Sequence, residues 1–107
     1  MNAGLIASLR AQCNGPRDGA LLRFSLGNAL LEQGDHTAAA EEFRRAVSFD
    51  PGYSAAWKLL GKACVAEGDT AGAADAWRQG IEVAQKRGDK QAEKEMTVFL
   101  RRLENQS

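Results

Sequence analysis

The sequence has little of what most functional classes require. Among its 107 residues are one histidine and two cysteines. Cys13 and Cys64 form no C-x-x-C pair, and with His36 they make up no familiar zinc-site spacing. The start, "MNAGLIASLRAQC", has no basic residue ahead of its apolar part, and Arg10 interrupts that part early. It therefore does not read as a signal peptide. Two thiols in a chain without an export signal are expected to be reduced. No apolar run approaches the ~20 residues that a bilayer requires. These absences lead us to expect a cytoplasmic protein with no membrane span.

An excess of charge is also missing. Fourteen basic residues balance fourteen acidic ones, so no net field draws the chain to nucleic acid or anionic lipid. Catalytic constellations are absent as well. His36 follows Asp35 with no nucleophile or orienting partner in evidence and reads as a surface histidine. "LGK" and "RFSLGN" lack the glycine spacings of a phosphate loop or a nucleophile elbow. The expectation is a non-enzymatic protein with no cofactor and no metal. At 44% apolar and 26% charged residues, the chain can form one compact domain, 1–107, with a modest core.

What is present is one phrase written twice. "LGNALLEQGDHTAAAEEF" begins at Leu26, and "LGKACVAEGDTAGAADAW" begins at Leu60, 34 positions later. The copies agree at Leu26/Leu60, Gly27/Gly61, Ala29/Ala63, Gly34/Gly68, Asp35/Asp69, Ala39/Ala73 and Ala40/Ala74, and Phe43 faces Trp77. Helical periodicity at this spacing implies stacked helical hairpins. Gly27 and Gly61 each cost a helix about 1 kcal/mol against alanine, so a neighbour must approach closely at that phase. Gly34 and Gly68 can end a helix in the left-handed conformation. Asp35 and Asp69 sit where a side-chain cap starts the next helix. Phe43 and Trp77 are expected to fill space between successive hairpins, and Pro51 after Asp50 to stop the first repeat.

These residues resemble the tetratricopeptide repeat family. Counting from Ala20, one repeat supplies Leu26, Gly27, Leu30, Ala39, Phe43, Ala46 and Pro51 at the family's marked positions. Counting from Ser54, a second supplies Trp57, Leu60, Gly61, Cys64, Ala73 and Trp77. Arg23, where a large residue is usual, and Gly80 and Gln85 near the end of the second repeat are departures. The resemblance implies an all-α, right-handed stack of antiparallel helical hairpins with repeats at 20–53 and 54–87. Residues 90–104 carry Ala92, Met96, Phe99, Leu100 and Leu103 on one stripe and read as an amphipathic cap. At the other end, Leu5 and Leu9 stand 34 positions before Ala39 and Phe43. Residues 3–13 therefore look like the second helix of a half repeat, giving about six helices in all. Both tryptophans are expected in the core, and Cys64 is expected to be buried and inert. Cys13 near a helix end could be exposed, with no cluster to activate it.

The resemblance further implies that the first helix of each pair lines a concave groove. The groove positions hold Leu21, Phe24, Asn28 and Leu31, then Ala55, Lys58, Lys62 and Val65. Leu21, Leu31 and Val65 would form an apolar floor, to which the cap could add Ala92 and Met96. Asn28 could pair with the backbone of an extended peptide, and Lys58 and Lys62 could meet a carboxylate. Equally, both lysines could simply be solvated. Phe24 is either an exposed anchor or, if the N-terminal helix folds over it, core. A clamp for a C-terminal carboxylate, as in chaperone-binding members, is excluded: Phe24 replaces its lysine, and Asp89 and Glu93 stand where bases are needed. The function expected is a protein-interaction module binding a peptide or helix of an unidentified partner. The alternative is self-association, a homodimer through the terminal helices or outer faces.

Overall fold

The computed structural model describes residues 3–106. It holds six helices: α1 Ala3–Gln12, α2 Ala20–Gln33, α3 His36–Phe49, α4 Ser54–Ala66, α5 Thr70–Arg87 and α6 Lys90–Asn105. No strand occurs among the described residues. α2 pairs with α3 and α4 with α5; α3 packs on α4, α5 on α6, and α1 on α2. The fold is an all-α solenoid of helical hairpins, as the repeat implies.

One turn chemistry is used three times. Gly34, Gly68 and Gly88 all have positive φ, at 91°, 86° and 71°. The following Asp35, Asp69 and Asp89 then accept hydrogen bonds from the amides of Ala38, Gly72 and Ala92. Glycine ends one helix without Cβ strain and aspartate caps the next. The third Gly-Asp pair lies outside the doubled phrase, and it turns α5 back into α6.

The two mid-helix glycines sit beneath the aromatics of their own hairpins. A Cβ on Gly27 would lie 2.7 Å from the Phe43 ring, and one on Gly61 would collide with the Trp77 indole. Phe43 and Trp77 thus close each hairpin from within. Phe43 also meets Phe24 of its own hairpin at 5.9 Å between ring centroids, and Trp77 reaches beyond its hairpin to Phe99 of α6 at 5.4 Å. Gly80 has the same logic, since a Cβ there would strike Met96 Sδ and Trp57 Cβ. The departure at Gly80 is therefore what lets the terminal helix lie close.

Arg23 is the other informative departure. Among the described residues it is the one buried charge, set in a core of Leu26, Leu30, Phe43, Trp57, Trp77 and Met96. Its guanidinium donates to both carboxylate oxygens of Asp18 at 2.8 Å and to Glu42 Oε1 at 2.9 Å. Trp57, its counterpart 34 residues on, donates its ring N–H to the carbonyl of Pro51 at 2.8 Å. In each repeat the side chain at this place reaches back and ties its helix to the linker before it. One copy does so with an indole, the other with a buried ion pair.

Candidate functional site

The predicted groove residues lie on α2 and α4, which touch each other, while α4 also touches α6. Helical spacing puts Leu21, Phe24, Asn28 and Leu31 on one face of α2, and Lys58, Lys62 and Val65 on one face of α4. The surroundings divide this set in two.

At the N-terminal end, Phe24 is half-buried. Its ring stacks on Tyr53 at 4.8 Å and tilts against Phe43. Phe24 is thus anchored by the core without being enclosed in it, an outcome between the two expected. Tyr53 was not legible as part of this site, because it lies in the loop between hairpins rather than at a repeat position. Phe24 and Asn28 line a 390 Å³ pocket together with Leu5, Leu9, Ser25, Ala29 and Glu32. Asn28 donates a long 3.4 Å hydrogen bond to Glu32. α1 thus forms a wall of the pocket.

At the C-terminal end the two lysines have partners within the chain. Lys58 Nζ lies 3.3 Å from Glu95 Oε1, and Lys62 Nζ sits 4.9 Å above the Phe99 ring. Both partners come from α6. Ala92 and Met96 do not contribute to a groove floor, since Ala92 is buried and Met96 is fully buried beneath Gly80. Leu21 and Val65 are not beneath anything: they are 70% and 44% exposed. Their helices turn these side chains outward, so they form a rim where a floor was expected. Leu31 is partly buried against the core.

The acids at the start of α6 have structural tasks. Asp89 caps the helix and also accepts from Ser54 Oγ at 3.0 Å. Glu93 accepts from Gln85.

Cys64 is fully buried, and desolvation is the main cause raising its thiol pKa. The thiol group of Cys13 is half-buried, donates to the carbonyl of Leu9 at 3.6 Å, and is also raised by burial. The nearby guanidinium groups, Arg44 at Cys64 and Arg23 at Cys13, pull the other way without overcoming burial. The fold does bring ligand atoms of Cys64, Glu67 and Asp69 within 4.8 Å of one another, a grouping that a search for His and Cys alone misses. The Arg44 guanidinium already stands there, 3.5 Å from Cys64 Sγ and 3.6 Å from Asp69. Asp69 is also committed as a helix cap. The positive charge for this cluster thus comes from the protein. No helix of the described residues is long and apolar enough to cross a membrane.

Hairpins in this order, with a glycine under an aromatic in each, define a helical-repeat protein. The chain belongs to the tetratricopeptide repeat family, whose pattern matches residues 5–54 and again 24–89. It is 62% identical over 87 residues to a TPR repeat-containing protein of Pseudomonas aeruginosa, which is 81% of this chain and 83% of the relative. The solution structure of a protein from Bordetella parapertussis is 46% identical, with a TM-score of 0.80, over 95% of this chain and 89% of that one. The crystal structure of the Sgt2 TPR domain from Aspergillus fumigatus is 29% identical, with a TM-score of 0.75, over 94% of this chain and 64% of that one. Tetratricopeptide repeats generally serve as protein–protein interaction modules.

Proposed function

We propose that this chain is a non-enzymatic adapter that binds a peptide or helix of a partner protein on the joint face of α2 and α4. In this reading residues 20–53 and 54–87 are two repeats, 3–13 a half repeat and 90–104 a cap. The observation that carries it is the exposure of Leu21 and Val65 on the same sides of their helices as Phe24, Asn28, Leu31, Lys58 and Lys62. Large apolar side chains left open beside polar groups are how a binding face differs from a merely solvated one. Lys58 and Lys62 can still meet a partner's carboxylate, though a ligand must compete with Glu95 and Phe99 for them.

The test is capture from lysate on immobilised wild type and on Leu21→Asp/Val65→Asp. Both substituted positions are exposed, so the variant should keep its helicity. A protein held by the wild type and lost from the variant is the expected result. Identical captured proteins on both columns would sink the groove.

A second reading is self-association through the terminal helices. Leu5 on α1 and Val98 on α6 are 51% and 37% exposed, and they favour it. Sedimentation velocity across a concentration series decides: a single monomeric species throughout removes this reading.

A further inference from the structure

The 34-residue correspondence relates α1 to α3 as it relates α2 to α4. Ile6 corresponds to Ala40, and both are buried. Leu5 and Leu9 correspond to Ala39 and Phe43. Ala39 and Phe43 are fully buried, Phe43 lying on Gly27 of α2, whereas Leu5 is 51% exposed and Leu9 only partly covered. The same face of the same repeat position is covered by a helix in one place and open in the other.

That open face is one wall of the 390 Å³ pocket, and Phe24, Ser25, Asn28, Ala29 and Glu32 of α2 form the other. We infer that this trough is a docking seat for an amphipathic α-helix of a partner protein, which lies against Leu5 and Leu9 as α2 lies against Ala39 and Phe43. The inference rests on the adapter reading above and specifies its ligand.

Three observations select this occupant. First, the seat continues the helix-on-helix interface already built between α2, α3 and α4, and the occupant of that interface is a helix. An extended strand would leave the backbone groups on its α1 side facing Leu5 and Leu9 without hydrogen-bond partners. Second, the charged group lining the trough is a carboxylate. Glu32 forms no ion pair among the described residues and accepts a long hydrogen bond from the amide of Asn28. A lysine or arginine flanking the apolar ridge of the incoming helix would complement it. Third, the wall is fixed in advance. Arg23 holds Asp18, Asn14 and Glu42 together, which pins the link between α1 and α2 to α3. A preformed seat costs the ligand less ordering than a mobile one.

The experiment uses two fluorescein-labelled, stapled helical peptides against the full chain. One carries residues 20–33, the helix that fills the equivalent seat, with lysines added at its ends. The other is an idealised helix with a leucine ridge and flanking lysines. Its control has the same residues with a proline at the centre. Anisotropy gives affinity, and amide shifts in labelled protein give location.

Saturable binding of a helical probe is expected, with shifts at Leu5, Leu9, Phe24, Asn28 and Ala29. Affinity should fall about tenfold or more in Leu5→Asp, the loss of a central apolar contact. Glu32→Lys should weaken binding and reduce its salt dependence. Glu41→Ala, on the far side of α3, should change nothing. Circular dichroism checks that every variant folds.

Shifts confined to Leu31, Lys58, Lys62 and Val65 would overturn this seat while leaving the adapter reading intact. Equal affinity for the proline control would overturn the choice of a helix. No saturable binding of either helix up to about 1 mM, an interaction of ~4 kcal/mol, would overturn the seat. The lysate comparison judges the adapter reading separately.

Discussion

The Trp77 indole lies over Gly61 and donates its ring N–H to the carbonyl of Lys58 at 3.1 Å. One residue of α5 thus fills the notch in α4 and takes up a backbone acceptor on the same helix. Trp77→Ala should destabilise the protein by about 3–5 kcal/mol, as other large core truncations do. Gly61→Ala should also destabilise, by about 1–3 kcal/mol, because overpacking against the indole outweighs the ~1 kcal/mol gained in helix propensity. Urea unfolding followed by circular dichroism checks both; a more stable Gly61→Ala would mean that the indole yields easily.

The Arg23 guanidinium, with the amide of Asn14 beside it, holds the Asp18 carboxyl well below the usual carboxylate range. A carboxyl depressed in the folded state contributes stability that is present above its unfolded value, about 3.9, and is lost as pH falls through the folded value. Asp18→Asn should therefore melt lower than wild type at neutral pH, with the gap closing below about pH 4. Calorimetric melting temperatures across that range test it. Parallel curves would show that Asp18 contributes nothing specific.

Burial raises the thiol pKa of Cys64, and the sulfur is fully covered. Thiolate is the reactive form. Cys64 should resist a thiol reagent at neutral pH in native protein and react on unfolding. Peptide mapping after timed labelling separates it from Cys13. Rapid native labelling of Cys64 would point to frequent opening of the α4–α5 hairpin.

Lys58 pairs with Glu95 across α4 and α6, with both side chains partly solvated. Such a pair is worth about 0.2–1 kcal/mol. Lys58→Glu alone should destabilise slightly more than that by like-charge contact, and adding Glu95→Lys should restore most of the loss. A double-mutant cycle by chemical unfolding measures the coupling. A coupling of zero would leave Lys58 free for a ligand.

The sequence by itself determined the architecture, because the information was local and written twice. Gly34-Asp35 and Gly68-Asp69 carry the turn and the cap in adjacent residues. Gly27 with Phe43 and Gly61 with Trp77 carry the close approach at a fixed spacing. Even the departures kept to this logic, since Gly80 makes room for Met96 and Arg23 replaces an indole with an ion pair. Only the tertiary structure decided what the polar positions meet. Lys58 and Lys62 read as free from their own helix, but α6 brings Glu95 and Phe99 to them from more than thirty residues away. Leu21 and Val65 stand open although their spacing suits a floor, and Leu5 stays open and Leu9 half-covered where Ala39 and Phe43 are closed. Repeat spacing fixes which face of a helix a residue occupies. Whether that face is covered depends on which other helix lies against it, and only the packed structure contains that information.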